Sequence, residues 1–212
     1  MSLPPEPERD CPLCPRLVGY RARNAAENPD WFNGPAPSFG DTEARLLVVG
    51  LAPGRTGANR TGRPFTGDYA GDLLYGTLLK YGFASGTYRA DPTDGLTLRA
   101  AMIANAVRCA PPENKPTPAE IATCNGFLAA RIAALPRLRV LVALGRIAHE
   151  AALKALGERP SRHGFAHGAE HALPAGLWLI DSYHCSRYNT QTRRLSEAMF
   201  HAVFERARAL AG

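Results

Sequence analysis

Lysine is nearly missing from this 212-residue chain: Lys80, Lys115 and Lys154 are the only three among 25 basic residues. Arginine forks suit phosphate oxygens, but arginine-for-lysine usage also follows genome composition, so this bias alone decides nothing. Long apolar runs are missing too, and no stretch approaches the ~20 residues of a membrane span. The first ten residues are rich in Pro and Glu and hold no apolar signal-peptide core. Residues 1–10 are expected to be flexible, and the chain to be cytoplasmic with no membrane association. There is no Gly-Lys-Ser/Thr ending of a P-loop, no G-x-G-x-x-G fingerprint and no magnesium-binding cluster of carboxylates. These absences count against a phosphate-cradling nucleotide hydrolase.

What remains is a basic chain of formal charge +6 and pI near 9.3, which favours a polyanionic partner. A 45% hydrophobic content over this length supports one α/β core. Four short apolar runs, 46–49, 102–107, 140–144 and 177–180, are continuous rather than alternating, as strands covered on both faces should be. Helical patterns lie between or after them. Leu73, Leu74, Leu78 and Tyr81 share one face, and Leu195, Met199 and Val203 another. Thr117-Pro118-Ala119-Glu120 is a capping box with Pro at the first helical position. It opens a helix whose apolar face is Ile121, Cys124, Leu128, Ile132 and Leu135. The expected fold is a single α/β domain over 1–212: a three-layer α/β/α sandwich around a short, mostly parallel, four-stranded sheet.

Ligands of such sheets bind beyond the carboxyl ends of the strands. That rule selects residues 50–68, 108–116, 145 onward and 182–192. The first has five glycines and three arginines, so its backbone amides can approach an anion or a planar ligand closely. The last is rich in small polar residues that can donate to a phosphate where a helix begins. Residues 111–118 and 162–171 read as loops.

Five cysteines in a chain expected to be cytoplasmic point to metal rather than disulfides. Cys11 and Cys14 form a C-x-x-C pair. Cys109 follows a strand, and Cys124 lies two turns into the capped helix. Four soft ligands suit zinc or an iron–sulfur cluster, and spacing does not choose between them. Cys124 taken alone reads as a small buried apolar residue. Cys185 adjoins His184, but neighbouring side chains diverge, which argues against a nucleophile pair.

The chain resembles the uracil-DNA glycosylase superfamily, and within it the iron–sulfur type B, or family 5. The resemblance rests on Cys11–Cys14, on the Gly50-Leu51-Ala52-Pro53-Gly54 loop running to Phe65-Thr66-Gly67-Asp68, and on residues 105–116. Ala143-Leu144-Gly145-Arg146 and residues 182–192 complete it, in order, over nearly the whole chain. It implies a DNA repair glycosylase that excises uracil, and also hypoxanthine and xanthine, from double- or single-stranded DNA, acting as a monomer. Cys11, Cys14, Cys109 and Cys124 would hold one structural [4Fe-4S] cluster.

Asp68 is then the carboxylate expected to orient water, because the first motif here is apolar where many relatives carry Asp or Asn. It also reads as a helix cap. His184 would donate to the base, and Asn114 would serve as a further catalytic polar group. Gly50, Leu51, Ala52, Pro53, Gly54, Phe65 as a stacking ring and Asn105 would form the base pocket. Arg55, Asn59, Arg60, Arg63, Ser186, Arg187 and Asn189 would meet the DNA. A domain that binds damaged or abasic DNA without catalysis is the alternative.

Overall fold

The computed structural model describes residues 4–212. In chain order the elements are α1 (Pro15–Glu27), β1 (Phe39–Gly40), β2 (Leu46–Gly50), α2 (Ala58–Thr61), α3 (Tyr69–Lys80), β3 (Ala84–Ser85), β4 (Thr97–Leu98) and β5 (Ala101–Asn105). There follow α4 (Pro118–Ala133), β6 (Val140–Leu144), α5 (Arg146–Ala155), β7 (Glu170–Ala172), β8 (Trp178–Ser182), α6 (Arg187–Gln191) and α7 (Glu197–Ala211).

The main sheet has the order β1-β5-β2-β6-β8-β7. Its central four strands are parallel, in register from Leu46 opposite Ala101 and Val140, with Val140 opposite Trp178. These correspond to the four apolar runs. The expected strand count is corrected from four to six, because β1 and β7 add antiparallel edges. Each edge is only two or three residues long. So short a strand carries no periodicity, and it limits the exposed ladder that a longer edge would offer to other chains.

Successive strand residues face opposite ways, and both faces are covered. Leu46, Val48, Ile103, Val142 and Ile180 pack with Leu74 and Leu78 of α3 and with Phe200, Val203 and Phe204 of α7. Leu47, Val49, Met102, Leu141 and Leu179 pack with Leu128 and Ile132 of α4 and with Ala151, Ala152 and Leu153 of α5. That double coverage is why the runs are continuously apolar. Among the described residues, no helix is long and apolar enough to cross a membrane.

Glu6, within the segment expected to be flexible, contacts the rest of the fold. Glu6 accepts from Arg108 Nη1 at 3.0 Å and from Arg131 Nη2 at 2.6 Å, and its carboxylate also receives Ser38 N at 3.0 Å. Arg108 is fully buried and needs that countercharge. Burial pushes the Glu6 carboxyl up, but the Arg108 charge and these donors outweigh it and hold the group below its ordinary value. Residues 1–3 of the expected tail lie outside the described residues.

The capping box of α4 forms as the sequence implies: Glu120 N donates to Thr117 Oγ1 at 3.2 Å, and Thr117 N to Glu120 Oε2 at 2.7 Å. Arg16 grips the same Glu120 carboxylate from α1. Thr117→Ala should therefore cost about 1 kcal/mol, seen as a fall in Tm of roughly 2–4 °C. Calorimetry showing an unchanged Tm would mean that Glu120 and Arg16 alone fix this end of α4.

Candidate functional site

The carboxyl ends of β2, β5 and β8 open onto a cleft of about 500 Å³. Leu51, Ala52 and Gly54 form one wall, Pro111, Glu113 and Asn114 a second, and His184, Ser186 and Arg187 a third. Asp68 stands at its edge, at the N-terminus of α3. Its Oδ1 accepts Gly71 N at 3.2 Å as a helix cap. The other oxygen lies over bare backbone: a Cβ on Gly57 would come within 2.6 Å of Asp68 Oδ2, and one on Gly54 within 3.5 Å. One carboxylate thus caps with one oxygen and presents the second to the cleft. Burial pushes the Asp68 carboxyl above its usual range, with Asp72 adding to it, against the lowering effect of the Gly71 and Ala70 amides.

Behind the cleft, Gly50 ends β2 where no side chain fits, since a Cβ there would lie 2.4 Å from Asn105 Oδ1 and 2.7 Å from the Phe65 ring. Phe65 is buried, and its ring stacks on His184 with centroids 6.0 Å apart. Phe65 also holds a left-handed φ of 54°, a conformation rare for a bulky residue. It is tied there by Tyr88, whose hydroxyl donates to the Phe65 carbonyl at 3.1 Å. Asn105 Oδ1 is buried without a partner, which leaves an acceptor for a ligand donor. Burial lowers His184 to about 4, so its imidazole is neutral through the physiological range. Asn189 Nδ2 steadies it by donating to the His184 carbonyl at 2.8 Å.

The four cysteines of the expected ligand set line one small, mostly apolar cavity with Leu17, Val107 and Phe127. Arg108 N donates to Cys124 Sγ at 3.3 Å and Arg21 Nη1 to Cys109 Sγ at 3.4 Å. Burial raises both thiols, Cys124 to about 12, and these donors offset only part of that rise. Cys185 stands apart, buried with its thiol toward the Ala70 carbonyl.

Residues 37–208 match the family model described as the uracil DNA glycosylase superfamily. The chain belongs to that superfamily. It is 49% identical over 207 residues to the type-5 uracil-DNA glycosylase of Thermus thermophilus, covering 95% of this chain and 94% of that relative. It is 41% identical over 207 residues to the type-5 uracil-DNA glycosylase of Pyrobaculum aerophilum, covering 96% and 90%. The type-4 uracil-DNA glycosylase of the same organism is 31% identical over 161 residues, covering 76% and 68%.

Two of the residues expected to meet DNA, Arg63 and Asn59, are buried. Arg63 is buried, forks onto Asp94 with both contacts at 2.8 Å, and lies over the rings of Phe39, Tyr75 and Tyr88. It is corrected from a phosphate contact to an internal anchor. Asn59 is also buried and donates to Asn33 Oδ1 at 3.1 Å. Asn189, half-buried, donates one amide N–H to the His184 carbonyl. Pro53 is buried and does not line the cleft. Arg55 lines it, but shares its charge with Glu27 at 2.6 Å. Arg60 is exposed, and exposed Arg187 lies over the Tyr69 ring at the cleft. Tyr20 of α1 and Tyr69 also line the cleft. Neither stood out in the sequence, because Tyr20 belongs to a helix remote along the chain and Tyr69 follows Asp68 with no motif of its own.

Removing one partner of a buried ion pair typically costs about 3–5 kcal/mol, whereas an exposed cation costs little. Arg63→Ala should therefore lower stability sharply, while Arg187→Ala should leave Tm unchanged and flatten the salt dependence of DNA binding by about one phosphate contact. Denaturant unfolding and binding titrations at graded salt separate the two roles. An Arg63→Ala protein of normal stability would contradict the anchor.

Proposed function

We propose that this chain hydrolyses the N-glycosidic bond of uracil in DNA, releasing the base and leaving an abasic site that starts base excision repair. The observation that carries the reading is Asp68, whose second oxygen faces the cleft over Gly54 and Gly57. The names of its type-5 relatives support the same reaction. A base extruded from the stack enters over Leu51 and Ala52, meets the Phe65 ring and satisfies the orphaned Asn105 oxygen. As the glycosidic bond breaks, its electron pair leaves with the base, and neutral His184 donates to the charge that builds there. Asp68 offsets the cationic sugar and takes the proton of the water that attacks C1′. Asn114 orients groups at the mouth of the cleft. Arg55, Arg60, Ser186 and Arg187 meet phosphates as the chain acts, as a cytoplasmic monomer, on double- or single-stranded DNA.

The apolar Leu51-Ala52 wall offers no polar group to reject a larger base, so hypoxanthine and xanthine belong to the same proposal. The same wall favours the alternative of a binding module without turnover. Asp68→Asn keeps the helix cap and decides between them. Loss of a positioned base costs about 10²–10⁴-fold, so single-turnover excision should fall by that factor while DNA binding persists. Asp68 must be ionised to act and its pKa is raised, so wild-type activity should be lost as pH falls through a value above the ordinary carboxylate range. That limb, if Asp68 is the group that must be ionised, should vanish from the residual activity of the Asp68→Asn variant. A mutant with wild-type rates and an intact limb would remove Asp68 from the chemistry. Release of uracil alone would confine the substrate range.

We also propose that Cys11, Cys14, Cys109 and Cys124 hold one [4Fe-4S] cluster. A single zinc at about 2.3 Å from each thiolate would draw the sulfurs within roughly 4 Å of one another. Among the described residues, the ligand atoms gathered into single-ion range belong to His149, His171 and Asp181. The four cysteines line one small cavity among apolar side chains, and the resemblance to the iron–sulfur type makes the cluster the group proposed for them. When bound, the cluster acts as a cross-link between α1, the end of β5 and α4, and takes no part in the hydrolysis. Anaerobic protein should be brown, with about four irons per chain. A colourless protein whose one zinc disappears with Cys109→Ser would contradict this.

A further inference from the structure

Asp181 of β8 is completely buried, on the side of the sheet covered by α4 and α5. Its Oδ1 lies 2.7 Å from His149 Nδ1 on α5, and its Oδ2 lies 3.0 Å from His171 Nε2 on the edge strand β7. His149 Nε2 in turn lies 3.0 Å from the His163 carbonyl oxygen. A carbonyl can only accept, so that contact is a hydrogen bond when His149 carries its proton on Nε2. Its Nδ1 then faces the Asp181 carboxylate at 2.7 Å, a gap that a proton or a metal ion can bridge.

Three features favour the ion. His171 brings a second imidazole nitrogen to the other carboxylate oxygen, and the three ligand atoms all lie within 4.8 Å of one another. His149 is fixed through its outer N–H on a backbone carbonyl, the support that metal-bound histidines generally have. His163, with its ring 5.4 Å from that of His171, and Glu158, 3.6 Å from His163, stand alongside as further donors.

We propose that His149 Nδ1, His171 Nε2 and Asp181 bind one divalent ion of the zinc class, at a site separate from both the cleft and the cysteines. Two imidazoles and a carboxylate are a donor set that zinc accepts. Ligand bonds of about 2.0–2.2 Å require the nitrogen–oxygen separations to open to roughly 3.3 Å. His171 is half-buried on a three-residue strand, so the opening falls there. The ion would take the place between His149 Nδ1 and Asp181, with His171 Nε2 as its third ligand. It would also join α5, β7 and β8 three residues ahead of His184.

The test uses the full chain with its cysteine-bound group in place, equilibrated with micromolar zinc and then freed of excess. Mass spectrometry should count one zinc per chain beyond the iron in wild type and none in His171→Asn, with equal iron in both. Zinc should also raise Tm in wild type alone. No retained zinc, or equal zinc in wild type and His171→Asn, would overturn the proposal. Uracil excision by the wild type is read separately, so either result leaves the proposed reaction standing or falling on its own assay.

Discussion

A loop of nineteen residues, 50–68, has far more conformations than a catalytic site can tolerate, and the buried fork between Arg63 and Asp94 removes most of them. The guanidinium is enclosed by Phe39, Tyr75 and Tyr88, and Asp94 is fully satisfied by the two Arg63 contacts and the amides of Arg89 and Leu96. The Arg63 hydrogen bonds, which outweigh desolvation, hold the Asp94 carboxyl well below its ordinary range. Tyr75 adds a 2.6 Å hydrogen bond to the Pro64 carbonyl, and Tyr88 secures the carbonyl of Phe65. With 63–65 fixed, Asp68 has only to enter α3 as its cap for its free oxygen to face Gly54 and Gly57. A residue drawn from the 86–96 excursion thus determines where a carboxylate outside that excursion points.

The second constraint is the parallel sheet itself. Its strands end together at Gly50, Asn105, Leu144 and Ser182, and the loops that follow converge there. The continuous apolar runs placed these strands because coverage on both faces demands such runs. The capping box located the start of α4 because its chemistry is local, confined to residues 117–120. Nothing local marks β1 or β7, whose pairing is set by the strands they flank.

Long-range partnerships were the illegible part. Arg63 looked like Arg60 and Arg187 in a basic, Gly-rich loop, and only the placement of Asp94, thirty-one residues later, distinguishes an anchor from a phosphate contact. The burial of Asn59 against Asn33 was hidden for the same reason, since an amide shows its partner only in three dimensions. His149, His171 and Asp181 are scattered over a helix, an edge strand and a central strand, with His171 inside a stretch that read as loop. Asp68, His184, Leu51 and Asn114 were legible as a set through family resemblance, and the structure gathers them around one cleft. Phe65 and Asn105 lie just behind it, where a glycine at position 50 leaves them room.

The central claim is that this cleft breaks a glycosidic bond rather than only holding DNA. The direct measurement is product analysis after wild-type protein meets a duplex with one uracil, beside nucleoside triphosphate controls. Glycosidic hydrolysis in the cleft requires free uracil and an alkali-labile abasic site in equal amounts, with the triphosphates intact. Tight retention of the duplex with no free base, or hydrolysis of the triphosphates, would contradict it.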